Sequence, residues 1–352
     1  MAVNTATPLP QASASTAATY RYRLFGLRVD SAVSLPIPAL GDADDSRPDV
    51  RIVWEDRAAA PAGQPRAETR CYCPFHAGRV VMRVYREDKH SWIWHEGAGT
   101  SRVADDGRTI TLTAGTDVID ERVRGLILAG LGSMFVLHHR GVPCLHAAAV
   151  LLDGCAVAFL GAKGQGKSTL VSGLLRRQGT LLTDDILPLQ HEPEGISGLP
   201  SLPIMKLWDG SVTHALGVTD DLPVLTQNLD KRLFTLDERF TFATEPVRLR
   251  AIYLLDRYDP LTAGEPGITV EPVARREALM TLLAQTPLRP YLTPEELAGL
   301  LPLYQSLLLQ APLRRLRYPS GFAYQDTVYA RLRADLAAAP GESDQTERLA
   351  PR

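Results

Sequence analysis

A chain of 352 residues holds roughly two domains at about 150 residues each. Its 45% hydrophobic and 22% charged residues are those of an ordinary folded protein, which excludes a wholly disordered chain, a collagen or a coiled coil. Lys and Arg total 38 against 40 Asp and Glu, a formal charge of -2, so no nucleic-acid partner is expected from a basic surface.

Residues 1–19 are rich in Ala, Ser, Thr and Pro and carry neither a basic nor an apolar signal region, so they read as a flexible tail. No run of eighteen or more uncharged apolar residues occurs, so no membrane partner is expected and a cytoplasmic location is. The four cysteines, Cys71, Cys73, Cys144 and Cys155, are too few and too unevenly spaced for a disulfide framework or a four-cysteine zinc site, and read as reduced thiols.

From Tyr20 to about Asp117, runs such as YRYRLFGLRVD, DVRIVWED, RVVMRVYRED and RTITLTAG alternate with period two. They predict a small antiparallel β domain over residues 20–117, with RAAAPAGQPRAE as a surface loop. Trp92 and Trp94 fall on one side of a strand and read as core. A helix is predicted over 118–139, with His138 and His139 as partners of its C-terminal dipole. Two apolar strands follow, 145–152 and 155–160, joined by Asp153-Gly154, a dipeptide suited to a type I′ turn.

The next run is Gly161-Ala162-Lys163-Gly164-Gln165-Gly166-Lys167-Ser168, followed by Thr169. It fits the phosphate-loop pattern G-x-x-x-x-G-K-[ST] between a predicted strand and a predicted helix. Such a loop curls backbone N–H groups around phosphate oxygens at the positive end of a helix. Lys167 then reaches the β- and γ-phosphates, and Ser168 offers its hydroxyl to Mg²⁺, so ATP and Mg²⁺ are the expected cofactors. The short strand GTLLT ends in Asp184-Asp185, and paired carboxylates beside a phosphate loop can hold the metal and take a proton from an attacking hydroxyl. Neither the Asn-Lys-x-Asp motif of GTPases nor the Ser-Gly-Gly signature of ABC-type ATPases occurs.

Residues 145–189 resemble the catalytic core of the HPr kinase/phosphorylase family, in which a His-bearing hairpin leads into a phosphate loop and an Asp-Asp pair follows one helix later. The resemblance implies an α/β fold related to phosphoenolpyruvate carboxykinase, with a P-loop kinase domain over 118–340, C-terminal helices and a flexible tail at 341–352. It also implies that Asp184 is the base for a serine hydroxyl, oriented by His146, and that Asp185 helps Ser168 hold the metal. The division of roles between the two aspartates stays open. The family forms hexamers, which implies a homo-oligomer by resemblance alone. The Gly- and Arg-rich segment tied to phosphorylase activity in that family has no recognisable counterpart at 198–210, so a kinase without the reverse reaction is expected. The opening YRLFGL and the segment YPSGF also resemble kinases of lasso-peptide precursors, which act on a serine near the peptide's C-terminus.

Lys206, Lys231 and Arg232 are candidates to neutralise charge on the transferred phosphoryl group. Strands are predicted at RLRAIYLLDRYDP, GITVEPV and RRLRYPSG, and a final helix from about Tyr324 to Ala338. Thr293-Pro294-Glu295-Glu296 is a capping box, and the stripe Leu297, Leu300, Leu301, Tyr304, Leu307 and Leu308 predicts one buried helix ended by Pro312. The functional expectation is a kinase transferring the γ-phosphoryl group of ATP to a serine on a peptide or small protein. A kinase of a small-molecule hydroxyl and a nucleotide-binding regulatory or assembly module without an acceptor are the alternatives.

Overall fold

The computed structural model describes residues 19–40, 47–55, 71–72, 75–76, 79–96, 98–113, 120–219, 222–226, 229–261 and 267–338. Most of the two predicted tails, the loop RAAAPAGQPRAE, the predicted boundary near 118 and Cys73 lie outside the described residues.

The N-terminal strands form an eight-stranded sheet in the order Tyr20–Leu24, Leu27–Ser31, Val50–Glu55, Thr109–Thr113, Gly99–Val103, His90–His95, Met82–Glu87, Cys71–Tyr72. The first alternating run is a hairpin and not one strand: Phe25 and Gly26 take φ of 54° and 79°, both positive as a type I′ turn requires, and Leu24 faces Leu27. The sheet is mainly antiparallel. Val50–Glu55 departs from the expected pattern, since it pairs in parallel with both Leu27–Ser31 and Thr109–Thr113. Trp92 is buried and stacked on Tyr85, whereas Trp94 is half-buried under the Arg83 guanidinium, 4.6 Å from its ring.

Asp120 caps the helix that follows by accepting hydrogen bonds from the N–H groups of Arg122 and Val123. The predicted single helix is interrupted: Glu121–Ile127 and Ser133–His139 are α-helical, and Leu128–Gly132 between them is π-helical. Phe135, Val136 and Leu137 join Ile52, Ile93 and Ile110 of the sheet in a core that also takes in Ile186, Leu202, Ile204 and Leu288 from the rest of the chain. Burial works against the expected role of His138 and His139 as charged partners of this helix end, although Glu296 Oε1 stands 3.6 Å from His138 Nε2. Burial pushes both imidazoles toward the neutral form, His139 to about 4, and His139 Nε2 meets the Ser91 hydroxyl at 3.0 Å instead.

The second sheet is mixed. Its central path runs Cys144–His146, Ile186–Glu192, Gly195–Gly198, Val247–Tyr258, Cys155–Leu160, Ala148–Leu152, Thr180–Thr183, Thr241–Phe242. The predicted strand 145–152 is broken at Ala147. Cys144–His146 pairs with Ile186–Glu192, while Ala148–Leu152 forms the hairpin with Cys155–Leu160. Asp153 and Gly154, with φ of 50° and 79°, make the expected turn. Leu170, Val171, Leu174 and Leu175 of helix Lys167–Leu175 are all buried, as a helix laid on a sheet demands.

The C-terminal strand, Leu313–Pro319, pairs in parallel with Val247–Tyr258 and antiparallel with Thr269–Pro272. The capping box at Thr293 and Glu296 forms with both reciprocal hydrogen bonds. The single helix expected after it is two, Pro294–Gly299 and Leu301–Gln310. Pro302 lacks an N–H and its ring opposes the carbonyl four residues back, so the helix restarts at Leu301 with proline in its first turn. Among the described residues no helix is long and apolar enough to cross a membrane.

The helix of the phosphate loop and the last helix, Gln325–Ala338, approach closely at Gly173, where an added Cβ would fall on the Tyr329 hydroxyl. Alanine in a helix normally stabilises by about 1 kcal/mol over glycine, but overpacking costs about 1–3 kcal/mol. The overlap at this position is severe, which puts the cost at the upper end, about 3 kcal/mol, so Gly173→Ala is expected to lose about 2 kcal/mol net and to lower the melting temperature by about 4–8 °C. A thermal melt showing an unchanged or higher midpoint would contradict this packing.

Candidate functional site

Three glycines give the phosphate loop its path: Gly161, Gly164 and Gly166 adopt φ of 153°, 90° and 90°, a region that L side chains rarely enter. At Gly166 a Cβ would also stand 2.9 Å from the Tyr318 hydroxyl. The loop is braced from outside: Gln165 Oε1 accepts the Arg257 N–H at 3.0 Å, and the Gln165 carbonyl accepts the Tyr318 hydroxyl at 2.8 Å. Lys163, Gly164, Gly166, Lys167, Ser168 and Thr169 line a cleft of about 500 Å³. Gly161, Ala162 and Gln165 shape the loop rather than line the cleft. The Lys167 ammonium is buried and donates to the Gly161 carbonyl at 2.7 Å, and its burial pulls its pKa down from the ordinary lysine value.

Strand Thr180–Thr183 pairs with Ala148–Leu152, so one strand separates it from the strand that feeds the loop. Beyond its end, Asp184 and Asp185 reach the same cleft. They differ sharply. Asp184 is 7% exposed; its Oδ2 accepts the Lys206 backbone N–H at 2.8 Å, and its buried Oδ1 meets no donor at bonding geometry. Burial raises the Asp184 pKa, offset in part by that N–H and by the neighbouring Ser168 hydroxyl. Asp185 is half-exposed, and both its oxygens are engaged, Oδ2 by the Lys206 ammonium at 2.8 Å and Oδ1 by His146 Nδ1 at 3.1 Å. The Lys206 charge holds Asp185 well below the ordinary carboxylate range, and Asp185 in turn raises Lys206.

This geometry corrects two expectations. His146 orients Asp185 and not Asp184, because strand Cys144–His146 pairs with Ile186–Glu192 and brings His146 opposite Ile186, next to Asp185. Asp185 is also poorly placed to hold a metal, since a cation already faces one oxygen and a ring nitrogen the other. The carboxylate with an uncommitted oxygen is Asp184, through Oδ1, and the Ser168 hydroxyl neighbours the same side chain. Among the described residues no three His, Cys, Asp or Glu side chains gather as a metal cage. Mg²⁺ beside a phosphate loop needs only one or two protein oxygens plus substrate phosphates, and the Ser168 hydroxyl lining the cleft is one such oxygen.

The three-stranded sheet of Ile204–Trp208, Leu229–Thr235 and Val224–Thr226 forms another wall. Lys206 and Trp208, two residues apart, face the cleft, and Lys231, the cross-strand partner of Trp208, joins them. Arg232 does not. Alternation along the strand turns it to the other face, where its Nε donates to Asp209 Oδ1 at 2.6 Å. Tyr318 and Phe322, the two ends of the YPSGF segment, line the cleft too, as do Arg257, Gln325 and Val328, which carry no motif that would single them out in the sequence.

No family model and no curated protein matches this sequence. Among solved structures it is similar to the Hpr(Ser) kinase/phosphatase from Coxiella burnetii, at 13% identity over 55% of this chain and 99% of that one, with a TM-score of 0.29. So loose a likeness carries no weight for function, which has to be read from the site itself.

Gly166→Ala, strained at φ of 90° and crowded by Tyr318, is expected to weaken nucleotide binding about five-fold or more, since backbone strain of this kind costs of order 1–3 kcal/mol; calorimetric titration with ATP checks it. Asp184, whose folded pKa is raised, stabilises the fold fully below its unfolded pKa of about 4, and that contribution disappears as pH rises through the folded value. Asp184→Asn should therefore raise the melting temperature at pH 7 by about 2 °C or more and leave it nearly unchanged at pH 3. Equal melting temperatures at pH 7 would contradict the buried, under-bonded charge.

Proposed function

We propose that the chain is an ATP-dependent phosphotransferase that moves the γ-phosphoryl group to a hydroxyl, with serine on a peptide or small protein as acceptor. The observation that carries this reading is the orphaned, buried Oδ1 of Asp184 in the same cleft as the phosphate-loop lysine. A module that only held a nucleotide would gain nothing from a carboxylate kept under-bonded there, at a cost in stability.

The residues divide the work. The loop N–H groups and Lys167 bind the β- and γ-phosphates and neutralise charge as the transfer proceeds. Mg²⁺, when bound, would be held by the Ser168 hydroxyl and the phosphates, and supplies further charge neutralisation. The acceptor oxygen bonds to the γ-phosphorus as the bond to the bridging oxygen breaks; ADP leaves, and the hydroxyl proton passes to Asp184, whose raised pKa suits it to receive one. Asp185, fixed as an anion, holds Lys206 and His146 in place at the acceptor end. The resemblance to lasso-peptide precursor kinases names the acceptor we would try first, a precursor peptide with a serine near its C-terminus.

Incubation with ATP, Mg²⁺ and such a peptide, read by mass spectrometry, should show one added phosphate. Asp184→Asn is expected to slow transfer by about 10²-fold or more, the scale of general-base catalysis, with ATP affinity nearly intact. Lys167→Ala should lose both binding and transfer. Undiminished product from the Asp184 variant would sink the base assignment.

A further inference from the structure

Resting on the phosphotransferase reading, the cleft has two chemically distinct ends, and only one is used by the transfer. At the first lie His146, Asp184, Asp185 and Lys206. Strand Ile204–Trp208 runs away from it: Trp208 follows Lys206 by two residues on the same face, about 7 Å further along the cleft at the usual strand rise. Just past Trp208, the Ser211 hydroxyl meets Thr169 Oγ1 at 2.7 Å, which ties this end of the strand to the start of the loop's helix. Phe322 closes the same end, with the His214 ring 4.9 Å from its own.

Among the described residues these two rings are among the few large hydrophobic side chains left in solvent, Trp208 at 44% and Phe322 at 41% exposure. Each is held from one side, Trp208 by the Lys231 ammonium 5.6 Å from its ring and Phe322 by His214. The phosphate loop sets a direction. Lys167 contacts the β- and γ-phosphates, and the transferred phosphoryl group must face the proton acceptor, Asp184. The nucleoside therefore extends the other way, past Thr169, toward the aromatic end.

We propose that Trp208 and Phe322 form the nucleobase site, stacking the base of the donor nucleotide. Stacking on an aromatic ring tolerates any base, since every base has a π-face, and needs no buried polar partner. Among the described residues Phe25 borders the acid end, and it is buried and offers no such surface.

The test is calorimetric titration of the full chain, with Mg²⁺, by ATP and by inorganic tripolyphosphate, which has the phosphates and no base. Trp208→Ala and Phe322→Ala are each expected to weaken ATP about ten-fold, within the range for one lost base–aromatic stack, and to leave tripolyphosphate within about two-fold. Trp208→Phe, which keeps a ring, should retain most of the ATP affinity. Unchanged ATP binding in both alanine variants would overturn the proposal. So would an equal loss for ATP and tripolyphosphate, which would place the effect on the loop, or a raised acceptor KM at constant ATP affinity, which would make the rings an acceptor platform. If the wild-type chain bound neither ligand, the phosphotransferase reading would fall first and this one with it.

Discussion

A carboxylate taken out of water without a full set of donors is among the costlier features a fold can carry. Asp184 is such a group, and the surrounding architecture is arranged to tolerate it. Its one firm donor is the backbone N–H of Lys206, supplied by a strand from a separate small sheet. Its neighbour Asp185 does the opposite job, drawing the Lys206 ammonium to itself and so keeping a full positive charge near Asp184 without neutralising it by direct contact. The adjacent pair is thus split into one carboxylate held toward its charged form and one whose proton affinity is raised. Separation of proton affinities between neighbouring titratable groups is how one site holds both charge and a proton acceptor at neutral pH.

The strand Ile204–Trp208 links this electrostatic arrangement to the shape of the cleft. Its backbone at Lys206 supports Asp184, its Lys206 side chain engages Asp185, and its Trp208 side chain reaches the far end. Because side chains alternate across a strand, these roles fall on one face, and the paired strand adds Lys231 while sending Arg232 away to Asp209. One two-residue step along a strand therefore separates a charged end from an aromatic one. The N-terminal sheet bears on the same region from outside: Phe25, in its first turn, donates its N–H to the Ser201 carbonyl at 3.2 Å, close to where this strand begins.

Local chemistry was legible wherever it rests on neighbouring residues. The phosphate loop, the Asp153-Gly154 turn, the capping box at Thr293 and the buried stripe of the loop's helix all follow from backbone preferences or periodicity within a few positions. Where a distant partner decides, much less could be read. The strand expected over 145–152 splits at Ala147 because its two halves pair with different strands. His138 and His139 were legible as residues at a helix end, but their charge depends on burial by other elements. Pro302 is a case of the other kind, a local signal outweighed by the leucine stripe around it.

By itself the sequence determined the pattern and place of the phosphate loop and that two carboxylates follow one helix later, because a loop of this pattern is written in its own backbone preferences and the residues adjoining it. Tertiary structure decided how those carboxylates differ, that His146 serves Asp185, that Lys206 and Lys231 enter the cleft while Arg232 leaves it, and that Trp208 and Phe322 face the same space. Each of these depends on strand register and burial. Both are set by contacts between segments far apart in the chain, and neither leaves a mark in the spacing of nearby residues.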